Sequence, residues 1–367
     1  MRFTLSLLLG VLGCNLATSQ YIEVQDNYTA QQLVEDILIN SPCANVSNFS
    51  VSGWSDASSY GYFSAGSSGF PFDEGVVIST GRATSVIGPN TSLLSEGSTN
   101  WAGDNDLEQA INENNTINAT VLEFDFLPIA NKMTFEYIFS SEQYFDYNNQ
   151  SQCNYSDGFA FLLREVGTQN QYLNLAVVPG TNTPVKVTTI RGEGTICDAA
   201  NTQYFDAFNG TQHPTNFNGQ TTILTAEATV TPGTLYHMKL VVADQGNSLY
   251  DSAIFLGGGS FDVETDLGPD RSFATRNPLC FGEEYVLDAS LAGVSNYQWF
   301  QDGVLIPGAT NATYTVTEDG FYEVEINNNS CIINGSVAIE YDDPITLQNT
   351  TLVQCEDNSG GIAVYNL

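Results

Sequence analysis

Hydrophobic positions along this chain alternate far more often than they recur with helical spacing. In "TFEYIF", Phe135, Tyr137 and Phe139 fall on one side, and Thr134, Glu136 and Ile138 on the other, because successive side chains of a strand point to opposite faces. Short apolar runs broken by Gly, Asn, Ser and Pro recur at 75–80, 119–128, 132–140, 157–163, 173–179, 185–190, 221–233, 235–244 and 252–263. Only 29–39, "TAQQLVEDILI", carries a helical period, with Leu33, Ile37 and Leu38 on one face. Many short strands without intervening helices predict an all-β protein. Residues 20–266 are assigned to a β-sandwich or jelly-roll-like domain with one short N-terminal helix.

The pattern changes near "DLGPDRS" (266–272). Beyond it, Cys280, Trp299, "GFY" at 320–322 and Cys331 come in the order Cys, Trp, Tyr, Cys. That order suits a smaller Ig-like sandwich over 269–342, in which a Trp packs on an inter-sheet bridge; it predicts a Cys280–Cys331 disulfide. The Tyr-to-Cys separation is longer than in antibody domains, so a related sandwich is expected. Residues 343–367 read as the truncated start of a further repeat, which leaves Cys355 without a local partner.

The N-terminus changes the compartment. Arg2, the apolar "FTLSLLLGVL" and the small residues before Gln20 form a signal peptide over 1–19. "VLGC" ending at Cys14 also fits a lipoprotein box, although Leu12 is large for its position. The apolar run is too short to span a bilayer, and no later segment predicts a transmembrane helix. Export favours disulfides. Cys153 and Cys197 both lie in loops next to strands and are paired here, with Cys43–Cys153 and Cys43–Cys197 as alternatives.

Charge narrows the partners. The chain of 367 residues has 9 Lys+Arg against 42 Asp+Glu, a formal net charge of −33. Such a surface repels phosphate backbones, so no nucleic-acid partner is expected. It is compatible with Ca²⁺, which takes carboxylate and carbonyl oxygens. His213 and His237 are the only histidines and no G-x-S-x-G elbow occurs, which disfavours thiol and serine catalysis. Nothing singles out a catalytic residue, although a carboxylate-based hydrolase stays open among so many acids.

The ordered runs "LEFDFLPIANKMTFEYIFSSEQYFDY", "CNYSDGFAFLL", "NLAVVPGTNTPV", "PTNFNGQTTILTA", "YHMKLVVADQGNSLYDSAIFL" and "GGSF" resemble the choice-of-anchor L domain over roughly residues 29–265. The resemblance implies an exported, non-enzymatic surface module of Bacteroidetes-type bacteria, outer-membrane associated, often at the front of long proteins carried by type IX secretion. A role in adhesion, gliding or surface assembly follows from it, with a polysaccharide or another cell-surface protein as partner. Gln143 stands where relatives usually carry a second acid.

The residues at "SEQYFDYNNQSQCNYSDGFAFLL" (141–163) offer the chemistry for an alternative, a Ca²⁺-dependent carbohydrate-binding module. Aromatic rings stack on sugar faces while acids and amides read hydroxyls. Glu142, Tyr144, Tyr155 and Asp157 are the ligand candidates, and "DGFAF" is similar to a legume-lectin motif whose Asp contacts sugar. Metal candidates are Asp104, Asp106, Glu142 and Asp157. Asp244 and Asp251 are further acids, Asp251 with a turn role. "GDNDLE" fits equally well as a helix start capped by Asp104 or Asn105.

Overall fold

The computed structural model describes residues 20–39, 45–145, 153–294, 296–328 and 331–342. Residues 1–19, where a signal peptide is expected, and residues 343–367, where a further repeat is expected, lie outside the described residues, as do Cys43 and Cys355.

The chain is built almost wholly of strands. In the first unit they are β1 (Glu23–Gln25), β2 (Asn45–Ser52), β3 (Tyr60–Ser64), β4 (Glu74–Ser79), β5 (Thr116–Leu127), β6 (Lys132–Ser141) and β7 (Gly158–Glu165). After them come β8 (Leu173–Asn174), β9 (Phe205–Phe208), β10 (Gly219–Thr221), β11 (Leu224–Thr229), β12 (Tyr236–Gln245), β13 (Ser252–Gly257) and β14 (Asp262–Glu264). One sheet runs β1-β3-β4-β13-β6-β10-β9, with β11 and β14 also paired to β6; the second runs β2-β5-β12-β7-β8.

These two sheets form a sandwich, as the alternation predicts. Phe135, Tyr137 and Phe139 of β6 meet Phe159 and Phe161 of β7 across the interior, with ring centroids 4.8–5.4 Å apart. Ile138, of opposite parity, joins Val77, Phe255 and Phe63 in a second core behind the first sheet. Behind the second sheet, Ala160, Leu162, Val241 and Ala243 pack under helix α1 (Asn105–Ile111) through Leu107 and Ile111. Both sheets are therefore apolar on both faces, which is why several strand runs show no polar face in the sequence.

Local chemistry explains where the structure departs from the periodicity. Residues 32–39 form a π-helix burying Leu33, Val34, Leu38 and Ile39. The buried pairs are five apart, matching its i→i+5 bonding, so Ile37 is only half-buried. Thr29 and Gln32 cap its start reciprocally: each backbone N–H donates to the other's side chain. The predicted strand over 173–179 stops at Asn174, whose Oδ1 accepts the N–H groups of Phe161 and Ala176 in place of a backbone partner. Residues 185–190 are not a strand; Val185, Val187 and Ile190 reach the core from a turn.

The second unit has β15 (Tyr285–Asp288) paired with β18 (Thr313–Val316), and a sheet β17-β16-β19-β20. The latter comprises β16 (Tyr297–Gln301), β17 (Val304–Leu305), β19 (Gly320–Asn328) and β20 (Cys331–Ile339). Trp299 is buried, stacks on Tyr314 at 5.6 Å and donates its indole N–H to Asn311 O. Tyr322 donates its hydroxyl to Glu318 O, four residues upstream, at 2.9 Å. This is the corner that fixes a strand in Ig-like sandwiches, so the unit is Ig-like. The predicted bridge does not form: Cys280 is an exposed free thiol, and Cys331 is disulfide-bonded elsewhere. Trp299 packs on a tyrosine instead of a bridge, so the fold does not require the antibody-type disulfide.

Candidate functional site

Two connections cross between the sheets of the first unit at the same end. The β6–β7 connection begins at Glu142 and ends at Asp157; the β12–β13 connection leaves Asp244 and ends at Asp251. Strand parity decides where these side chains go. The inward rows are Tyr137–Phe139 on β6, Phe159–Phe161 on β7, Leu240–Val242 on β12 and Ile254–Leu256 on β13. Continuing each by two residues gives Ser141, Asp157, Asp244 and Ser252, all buried. The apolar core thus ends in an internal polar layer.

Hydrogen bonds hold part of this layer. Ser252 Oγ lies 2.8 Å from both Ser141 Oγ and Asp157 Oδ2. Asp157 Oδ1 accepts from Gln143 Nε2 (2.8 Å) and Gln245 N (2.9 Å), while the Asp157 N–H donates to Gln143 Oε1. Both Asp251 oxygens accept from Glu96 N, and Glu142 Oε1 accepts from Leu94 N. Gly81 closes over Asp251: a Cβ there would stand 2.2 Å from Oδ2. Glu142 Oε2 and both oxygens of Asp244 are buried with no hydrogen bond of ordinary geometry.

Desolvation dominates the electrostatics. Burial pushes the Glu142 carboxyl up to about 8 and the Asp251 carboxyl up to about 7, against the N–H groups that favour their charged forms. Asp157 is driven well above its ordinary value by burial, despite three hydrogen bonds, and the nearby Asp251 charge adds to the rise. Asp244 is raised by burial and by the charges of Asp157 and Asp251, with the Thr80 hydroxyl giving slight relief. Among the described residues, none of these four acids takes part in an ion pair.

The sequence candidates divide. Asp157 lies in this layer and Glu142 beside it, tied to Leu94 N and Asp251 O; both are sealed from solvent, as is Tyr144, whose ring packs on Phe139 and Phe205. They cannot present a sugar-facing rim; of the four ligand candidates only Tyr155 is open, at 37 % exposure. Asp104 and Asp106 lie behind the second sheet. Asp104 caps α1 by accepting Leu107 N (2.9 Å), and Lys239 Nζ lies 2.6 Å from Asp104 and 2.7 Å from Asp106. Lys239 faces outward on β12 where Asp244 faces inward, so the four metal candidates do not form one site. The Cys153–Cys197 disulfide is present, ending the β6–β7 connection with a covalent tie. Asp244 and Asp251 complete the layer; the sequence signal for Asp244 is the inward row Met238, Leu240, Val242, Asp244, read through to its last member.

The family model of the choice-of-anchor L domain matches residues 22–262. The chain belongs to the choice-of-anchor L domain family. The acid layer lies wholly within the matched segment. No curated protein compared with the chain matches it. Crystal structures of the N-terminal four Ig domains of Dscam1 isoforms 7.44 and 1.9 are each 12 % identical, covering 51 % of this chain and 38 % of theirs with a TM-score of 0.18. The chain therefore spans well under half the length of those Dscam1 fragments, and at that score the likeness says nothing about function. Among the described residues no helix is long and apolar enough to cross a membrane.

Proposed function

We propose that this choice-of-anchor L protein is a non-enzymatic, exported cell-surface protein that acts in adhesion or surface assembly, with type IX secretion as its route. The family match over 22–262 carries the reading. The Cys153–Cys197 disulfide supports it, since such bonds persist outside the reducing cytoplasm. The burial of Glu142 and Asp157 also supports it, because a catalytic carboxylate pair must meet its substrate. The partner surface is left to the exposed strands and loops.

The test is made on cells that produce the chain. Protease added to intact cells should release its peptides, and a deletion strain should attach less well to polysaccharide- or protein-coated surfaces at unchanged growth. Chain found only inside the cells sinks the surface role. Surface chain with undiminished attachment sinks adhesion. Binding of the purified chain to a single glycan class would move the assignment to the carbohydrate-binding alternative.

A further inference from the structure

Buried carboxylates without a counter-charge are costly, and proteins resolve them by protonation, pairing or a bound cation. The described residues supply no pairing here, and the two connections behave differently. Asp157 and Asp251 are surrounded by donors: Gln143 Nε2, Gln245 N and Ser252 Oγ for the first, and Glu96 N for the second. Donors of this kind favour charged carboxylates. Asp244 is 0 % exposed, its side chain lies on the inward row, and neither oxygen has a hydrogen-bond partner of ordinary geometry. Glu142 also keeps one oxygen, Oε2, buried and unpartnered. Its other oxygen and its backbone N–H tie it to Leu94 N and Asp251 O. An unpartnered buried carboxylate, near enough to two donor-held ones to feel their charge, supplies hard oxygen donors without a counter-ion.

We propose that Asp157, Asp244 and Asp251, with Glu142 at the rim, form an internal Ca²⁺ site joining the two sheet-crossing connections of the sandwich. The site is independent of the surface role proposed above. Ca²⁺ suits the donor set: it takes six to eight oxygens in flexible geometry, from carboxylates, hydroxyls and backbone carbonyls. Ser252 Oγ bonds Asp157 and Thr80 Oγ1 accepts the Ser252 N–H, and among the described residues no thiol or imidazole bonds these acids. Among the described residues no three acid, histidine or cysteine side chains already converge on one point. Binding therefore draws the acid side chains inward, from both crossings at once. That closure ties the β6–β7 connection to the β12–β13 connection, both of which cross between the same two sheets.

The experiment is calorimetric titration of CaCl₂ into the chelator-treated whole chain, with thermal melting alongside. Wild type should bind one Ca²⁺ per chain and melt several degrees higher in millimolar Ca²⁺, because the ion binds only the native state. Asp244→Asn keeps the shape but removes the charge; it should fold, lose the binding heat and lose the Ca²⁺-dependent shift. Asp106→Asn, on the opposite side of the sheet, should leave both intact. If Asp244→Asn does not fold, Glu142→Gln should still weaken Ca²⁺ binding at least about tenfold, as expected for loss of one charged ligand. No binding heat and an unchanged midpoint in wild type overturn the site. So does a full response in folded Asp244→Asn, or in Glu142→Gln.

Discussion

Lys239 and His237 stand two residues apart on the outer face of β12, and each draws two acids. Burial works against the Lys239 charge, yet the hydrogen bonds its ammonium donates to Asp104 and Asp106 hold it above its ordinary value. Lys239→Met strands both carboxylates, and a loss of about 1–3 kcal/mol is expected in urea unfolding at neutral pH. His237 is raised chiefly by its hydrogen bond to Glu123, then by Asp125, whose Oδ1 lies 2.7 Å from Nδ1. A histidine raised in the folded state adds stability below its unfolded value near 6.5, and that stability is lost as pH climbs through the folded value. The difference between wild type and His237→Gln should therefore be greatest below about pH 6 and shrink on the alkaline side, on the order of 1 kcal/mol. A difference that is flat from pH 5 to 9 removes the charged pairing. Single-residue roles of this kind were the least legible in the sequence. Asp104 and Asp106 have D-x-D spacing suited to calcium, yet their partner is a lysine more than a hundred residues away. Only the folded sheet brings it over α1.

Elements were legible where the apolar period is continuous. β5, β6, β7 and β12 fall close to the predicted runs because their inward rows are long and aromatic or branched. The 173–179 and 185–190 runs have the same composition but lose the ladder to side-chain bonds at Asn174 and to the turn at Lys186–Ile190. Burial was read correctly there and strand formation was not, because hydrophobicity records only the first. Phe161 packs on Phe135 and Tyr137 across the sheets and on Phe159 of its own strand. Phe161→Ala should cost about 3–5 kcal/mol in chemical denaturation, combining lost transfer energy with the cavity left behind. The Cys153–Cys197 bond closes a separation of 44 residues. Replacing both cysteines by serine should lower stability by about 2–4 kcal/mol, chiefly by freeing the unfolded chain. An unchanged midpoint in that variant would mean the connection is already fixed by Gln143, Asp157 and their neighbours.

Across the whole molecule, an excess of acid over base that reads as surface chemistry also has an internal share. Glu142 and Asp157 were recognisable as acids at strand mouths, and the loop between them as a ligand rim. The structure buries both acids: Asp157 continues a row that points between the sheets, and Glu142 turns its carboxylate to the Leu94 N–H. Asp244 and Asp251 belong with them through a second sheet crossing that is distant in sequence and reached only by tertiary pairing of β13 with β6. The second, Ig-like unit follows directly on β14, with Thr265 N donating to Asn334 O and Arg271 pairing with Ile339. A cation at the sandwich end, as proposed above, would act through both sheet crossings on the stability of the first unit. The most direct measurement is the thermal midpoint of the intact chain near neutral pH, first in chelator and then in millimolar Ca²⁺. A rise of several degrees that disappears in Asp244→Asn is expected; an identical midpoint in both solutions contradicts a cation-closed acid layer.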